Sequence, residues 1–290
     1  MPSLPSLRSL VELVRAPAAL SVPGDVVAGA AAGGALQPRT AGLAAASVCL
    51  YWSGMAANDW ADRELDAVER PERPIPSGRV TPPQALGVAA GLTAAGVALA
   101  ALAGGRRALA VALPLAGAVW AYDLRAKNTP AGPAVMAACR GLDVLLGAAP
   151  GKVARALPAA LTVAAHTYTV TALSRREVSG ADRTLPAATL AGTAAVALSA
   201  GLPTARGKGA AAAVPGMLAA WYAAGYGAAQ ARVAADPSAA KVRAAVGAGI
   251  TGLPPLQGAL AASAGAPATG VAVAAIAPLA RRLARKVSPT

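Results

Sequence analysis

The chain has 290 residues, 56% of them hydrophobic, with a mean hydropathy of +0.50 and a formal net charge of +13. That apolarity excludes an ordinary soluble domain. The cations sit in short loops between apolar runs, which fits membrane orientation and argues against nucleic-acid binding. Ala, Gly and Val supply much of the apolarity and Phe is absent, a composition that lets helix backbones approach closely within a bilayer. Cys49 and Cys139 lie in separate apolar runs, away from any paired Cys/His spacing, so packed thiols are expected rather than a disulfide or a metal site.

In chain order, the first fifteen residues alternate Leu with Ser and end Val-Arg-Ala-Pro17. This reads as an interfacial lead-in, not a signal peptide, because no apolar core with a small-residue cleavage site is present. Apolar segments follow at roughly 17–36, 40–57, 83–103, 108–122, 131–149, 156–173, 185–202, 209–231, 240–263 and 267–280. Ten candidate spans result, several near the ~20 residues that cross ~30 Å of hydrocarbon. Prolines such as Pro114, Pro254 and Pro255 fall inside spans, where neighbouring helices satisfy the freed carbonyls. With loop 58–79 in the cytosol, most loop cations lie on that side, including Arg8, Arg15, Arg63, Arg125, Lys127, Arg175, Arg183 and Arg243. The basic tail 281–286 joins them only if the number of spans is even, so the positive-inside rule favours ten.

Between the second and third spans stands Asn58-Asp-Trp-Ala-Asp-Arg-Glu-Leu-Asp66. On a continuing helix Asn58, Asp62 and Asp66 recur every four residues on one face, with Asp59 close by. One amide and three carboxylates at the mouth of an apolar bundle suit Mg²⁺, a hard cation that binds carboxylates together with substrate phosphates. A solvated acidic helix end is the plainer alternative.

The run resembles the first Asp-rich motif, NDxxDxxxD, of the UbiA superfamily of intramembrane prenyltransferases. Arg73-Pro-Ile-Pro-Ser-Gly-Arg79 resembles that family's RPxxSGR continuation. The resemblance implies an all-α polytopic membrane bundle of nine core helices over 17–263, to which this chain adds a C-terminal helix at 267–283, the whole of 1–290 forming one domain. It also implies Mg²⁺-dependent transfer of an isoprenyl group from an isoprenyl diphosphate to an aromatic or other lipophilic acceptor. The metal ligands would be Asn58, Asp59, Asp62 and Asp66. With the Ala/Gly/Arg bias, the setting implied is a bacterial inner or plasma membrane, in contact with membrane lipid and with the active-site loops cytosolic.

The family carries a second acidic motif, commonly DxxxD, between the sixth and seventh spans. Here that loop reads Ser174-Arg-Arg-Glu-Val-Ser-Gly-Ala-Asp-Arg183, with Glu177 and Asp182 as its acids. A five-residue separation turns about 500°, roughly 140° off one helical face, so the two converge on a metal only if Ser179-Gly180 bends. Tyr122-Asp-Leu-Arg-Ala-Lys127 resembles the family's Tyr…Lys element. The diphosphate contacts implied are Lys127, with Asp62 and Asp66 catalytic, and Tyr122, Arg125, Arg63, Arg73 and Arg176 binding substrate. Positive-inside anchoring is the competing account of these cations.

Inside the spans, Arg140 and Asp143 are three apart and pair on one helix face or line a pocket, with Asp25 a further intramembrane charge. His166 reads as a hydrogen-bonded packing histidine. A non-catalytic carrier or lipid-binding protein on the same scaffold stays open. An ion transporter built on Asp25, Arg140, Asp143 and His166 leaves the motif from Asn58 to Asp66 unexplained.

Overall fold

A computed structural model describes residues 5–202, 209–279 and 282. Among these the chain is all helix and turn, with no strand. A short helix α1 (Leu7–Leu13) is capped by the Ser6 hydroxyl, and a 3₁₀ turn (Ala16–Ser21) leads into α2 (Pro23–Ala32). Then come α3 (Thr40–Ala61), the short α4 (Arg63–Glu69) and α5 (Pro82–Ala121), which a π-turn (Tyr122–Ala126) extends. The chain continues through α6 (Gly132–Ala148), α7 (Val153–Ser174) and α8 (Thr184–Gly201). Helices α9 (Val214–Tyr222) and α10 (Ala228–Ala235) are joined by a π-turn (Ala223–Gly227), and α11 (Ala239–Ser263) and α12 (Pro267–Ala274) follow.

Helix α5 is two crossings in one. Forty residues of straight helix would run ~60 Å, twice the hydrocarbon thickness. At Gly105 the backbone takes φ 64° and ψ −155°, a conformation that favours glycine, and the helix reverses there. The Trp120 indole N–H donates to the Thr93 hydroxyl at 3.0 Å, which only a folded-back hairpin allows. The runs expected at 83–103 and 108–122 are its two arms.

Four helical stretches among the described residues are long and apolar enough to cross a membrane alone: Thr40–Ala61, Pro82–Ala126, Val153–Ser174 and Thr184–Gly201. The expected tenth span is a short helix folded back on α11, with Gly258 and Gly270 in reciprocal contact. Residues 280, 281 and 283 of that expected helix, the basic tail beyond it, and the loop cations Arg206 and Lys208 lie outside the described residues.

Small residues set the packing. A methyl group on Gly29 would fall 1.7 Å from the Val144 carbonyl oxygen, and one on Gly147 would fall 2.0 Å from that of Val26. Helices α2 and α6 therefore meet backbone to backbone, as close-packed membrane helices do. Around this seam the core divides. One apolar cluster holds Val26, Leu43, Leu50, Leu115 and Leu146 from α2, α3, α5 and α6. Another holds Val163, Val196, Tyr222, Tyr226 and Leu256 from α7 to α11. In that second half the His166 Nδ1 lies 2.9 Å from the Tyr222 hydroxyl, and both tyrosine rings stand edge-on to the imidazole. The histidine is thus buried, hydrogen-bonded at Nδ1 and packed against both tyrosine rings.

The loops after α3, after α5, after α7 and after α10 gather at one end of the bundle. Lys127 reaches Asp62, Arg175 donates to the Lys127 and Thr129 carbonyls, Arg243 donates to the Glu177 carbonyl, and the Ala181 N–H bonds to Pro237. Alternating helices thus deliver both acidic loops to the same face.

Candidate active site

Helix α3 does not run on unbroken through the first acidic motif. Asp62 leaves helical geometry, with φ −90° and ψ 4°, and α4 restarts at Arg63. The four-residue hydrogen bonds persist, from the Asp62 N–H to Asn58 and from the Asp66 N–H to Asp62, but the side chains part into two sets. Asp66, expected on one face with Asn58 and Asp62, shares Arg73 with Asp59, while Asn58 and Asp62 meet the π-turn.

The first set is Asp59 and Asp66, both buried. The Arg15 guanidinium donates to Asp59 Oδ1 at 2.7 Å. Arg73 Nη1 lies 3.3 Å from Asp59 Oδ1 and 2.5 Å from Asp66 Oδ2, and Arg70 approaches Asp66 at 3.8 Å. The second set is Asn58 and Asp62. Asp62 receives the Lys127 ammonium at 2.6 Å, and the Asn58 amide donates to Asp123 Oδ1 at 3.2 Å. The π-turn makes this second set possible: its Lys127 N–H bonds back five residues to the Tyr122 carbonyl, so Asp123 and Lys127 both face α3.

Of the cations expected at a diphosphate, Arg73 and Lys127 stand among the acids. Arg63 does not: it lies over the Trp60 ring, donates to the Trp60 carbonyl and pairs with Glu64. Arg125 and Arg176 are exposed, and Tyr122 lines a cavity below the acids. Two residues escaped the sequence reading. Arg15, held at a left-handed φ of 47°, and Asp123 come from positions 44 and 65 residues away from their partners. Asp123 sits between the Tyr and Lys of a recognised element, and Arg15 is the last charge before the first span; both were visible without their partners being so.

The second acidic loop is organised differently. Asp182 Oδ1 accepts from the Thr184 N–H at 3.0 Å, the Thr184 hydroxyl at 2.8 Å and the Leu185 N–H at 2.9 Å, which caps the start of α8. Those hydrogen bonds hold its carboxyl below the usual range. Burial pushes Glu177 above the usual range, against the opposing charges of Arg243 and Arg70. No hydrogen bond or ion pair joins Glu177 to Asp182 among the described residues. Gly180 bends the chain between them at φ 76°, but with Asp182 turned to α8 the two carboxylates are not paired.

Among the described residues no three His, Cys, Asp or Glu side chains are grouped as a ready metal cage. The donor set of the first loop nevertheless fits a divalent cation. Asp59 and Asp66 are close enough to serve one cation together, since both already pair with Arg73 Nη1, and carboxylate oxygens of this kind are what Mg²⁺ takes.

The sequence model of the UbiA prenyltransferase family matches residues 20–241, well over half the chain. The chain belongs to that family. Its members span membranes, in keeping with the apolar helices described above. Digeranylgeranylglyceryl phosphate synthase of Methanopyrus kandleri is 41% identical over 154 residues, covering 50% of this chain and 54% of that protein. The chloroplastic chlorophyll synthase of Arabidopsis thaliana is 38% identical over 68 residues, covering 21% and 18%. The chain thus spans about half the length, or less, of the curated relatives it matches. Among solved structures, an apo UbiA homologue from Aeropyrum pernix K1 superposes with a TM-score of 0.66 at 22% identity, covering 84% of this chain and 96% of that one. A UbiA homologue from Archaeoglobus fulgidus bound to GPP and Mg²⁺ gives 0.53 at 14% identity, covering 92% and 99%. These likenesses establish the shared fold.

Proposed function

We propose that the protein is an intramembrane prenyltransferase that moves an isoprenyl group from an isoprenyl diphosphate to a lipophilic acceptor, with the acidic loops facing the cytosol. The observation that carries this reading is the paired arrangement at the bundle mouth. Asp59, Asp62 and Asp66 lie interleaved with Arg15, Arg73 and Lys127, directly above an apolar interior. Family membership supports it, and so do relatives matched over about half their length that are named digeranylgeranylglyceryl phosphate synthase.

Mg²⁺ would be held by Asn58, Asp59, Asp62 and Asp66, with Glu177 and Asp182 offering a second position if the Gly180 bend closes. Bound there, it would supply charge stabilisation to the leaving diphosphate. The protein's own part begins with Arg73 and Lys127. Both are within reach of any group docked on the acids, the Arg as a bidentate partner for phosphate oxygens and the Lys as a point charge. As the C–O bond ionises, negative charge grows on the diphosphate, and these preplaced cations favour that change over the ground state. The allylic cation left behind needs a dry, weakly nucleophilic wall. Leu50, Leu115, Val119 and Met136 provide one beneath Asp123.

Purified protein with geranylgeranyl or farnesyl diphosphate, with and without Mg²⁺, tests the reading. Metal-dependent diphosphate release is expected, and its absence with both substrates would refute the assignment. One observation favours a non-catalytic carrier instead: Asp182, the last acid of the second loop, is committed to capping α8. Tight diphosphate binding without turnover would identify that case.

A further inference from the structure

A cavity of about 80 Å³ lies between α2, α3, α5 and α6. Its mouth end is formed by Tyr122 and Asp123, the latter hydrogen-bonded to Asn58 of the acidic motif. Its far end is formed by Ser47, Tyr51, Arg140 and Asp143. Along α3 the lining runs from Ser47 to Met55, a slot roughly 12 Å long at 1.5 Å per residue. The floor of this slot is polar, which an apolar bundle does not need for packing.

Arg140 is already engaged. Its Nη2 pairs with Asp25 Oδ2 at 2.8 Å and donates to the Ser21 carbonyl at 3.3 Å. Gln257 Nε2 closes the other side of Asp25, donating to Oδ1 at 2.6 Å and to Ser21 at 2.7 Å. Three helices and the turn before α2 thus share one closed ion pair. The same-helix Arg140–Asp143 pair that the sequence spacing allows is not formed. Asp143 is 5% exposed, and neither of its carboxylate oxygens has a hydrogen-bond partner; Ser47 lies beside it without a well-formed bond. An ionisable group in that state inside a membrane bundle has hydrogen-bonding capacity left for a ligand.

We propose that this slot is the acceptor's polar subsite and that Asp143 accepts a hydrogen bond there from a neutral hydroxyl. This rests on the transferase reading above, because the slot's mouth end opens at Asp123, beside the acids that would hold the diphosphate. The charges choose the ligand class. Asp25 and Arg140 cancel, and Asp143 adds either nothing or one negative charge. In neither state does the floor offer a counter-charge to a carboxylate or phosphate. An ammonium would sit beside Arg140 and forfeit its hydration. A hydroxyl satisfies Asp143 and carries no charge into the bilayer interior.

A matched pair of phenols tests this, with geranylgeranyl diphosphate and Mg²⁺ supplied to the purified full chain. 4-Hydroxybenzyl alcohol and 4-hydroxybenzoate offer the same nucleophile and differ in a hydroxymethyl or a carboxylate at the far end. The hydroxymethyl compound is expected to be prenylated with a KM about tenfold lower, the scale of one hydrogen bond to a charged group. Asp143→Leu should erase that preference through KM with kcat little changed, and Asp143→Asn, which still accepts, should retain part of it. Equal or inverted preference in the unmodified protein overturns the proposal even if Asp143→Leu fails to fold. An unchanged preference in a folded Asp143→Leu overturns it too. Diphosphate release with neither phenol prenylated overturns the subsite and leaves the transferase reading standing. Without metal-dependent diphosphate release, both fall.

Discussion

The two acidic loops reach the same end of the bundle and have opposite internal bookkeeping. In the first, the buried Asp59 and Asp66 and the half-buried Asp62 face cations brought from elsewhere in the chain: Arg15 from the lead-in, Arg73 from the Pro-rich turn and Lys127 from the π-turn. In the second, Asp182 is satisfied by its immediate neighbours and Glu177 is half-buried near Arg243 and Arg70. Long-range charge pairing leaves ligands that a competing anion or cation can take over. Local capping consumes its oxygen in holding a helix start. The lesson is that a run of acids is a site only when the fold, not the neighbouring peptide, answers its charge.

The largest effect that would separate the loops comes from the first. Asp62→Ala or Asp66→Ala should reduce metal-dependent diphosphate release at least ~100-fold, the scale of losing one electrostatic stabiliser at a reacting centre. Steady-state turnover at saturating substrate checks it, and near-normal rates in both variants would make the first loop structural. Next is Arg73→Gln, which strips the shared cation from two buried carboxylates. Leaving a buried ion pair half-broken costs on the order of 3 kcal/mol. The melting temperature should fall, and Mg²⁺ should restore it more in this variant than in the unmodified protein. A metal-independent loss would mean that the acids do not accept a divalent ion.

Much of this was legible from the chain. The apolar runs give the helices in order, and the gap between the runs at 83–103 and 108–122 falls where Gly105 turns α5 into a hairpin. The spacing of Asn58, Asp62 and Asp66 identifies the acidic segment but not its pairing: Asp66 joins Asp59 at Arg73, while Asn58 and Asp62 turn to Asp123 and Lys127 of the π-turn. Arg15 and Asp123 were not legible as site residues. Helical periodicity reports neighbours three and four apart, and these partners are brought in by tertiary packing. Arg140 shows the same limit: its local partner at three residues loses to Asp25 on another helix.

A smaller effect is expected at Glu177. Burial raises its carboxyl above the usual range, so as pH falls it protonates earlier than an exposed glutamate does. If it serves the site as an anion, turnover at limiting Mg²⁺ should decline on the acid side sooner than the first loop alone requires. Glu177→Gln should then weaken the Mg²⁺ dependence and remove that early decline. Identical pH profiles would place Glu177 outside the site.

The smallest functional effect is expected at Asp182, and it completes the contrast between the loops. Its Oδ1 accepts three hydrogen bonds from Thr184 and Leu185, and its low carboxyl range follows from those bonds. Asp182→Ala removes the acceptor that α8 uses at its first turn, so the melting temperature should drop. Turnover per folded molecule should stay within about twofold, as for a surface change away from a reacting centre. Asp182→Ser keeps a hydroxyl acceptor of the capping type but loses the carboxylate, and this variant decides between the roles. If Asp182 is a cap, Ser restores the melting temperature. If it is a second metal ligand reached through the Gly180 bend, Ser restores stability and leaves the Mg²⁺ requirement raised, as Glu177→Gln does. A double variant of Glu177 and Asp182 then shows whether they act at one point. Loss no greater than that of the more damaging single variant means a shared ion, and additive losses mean two independent residues.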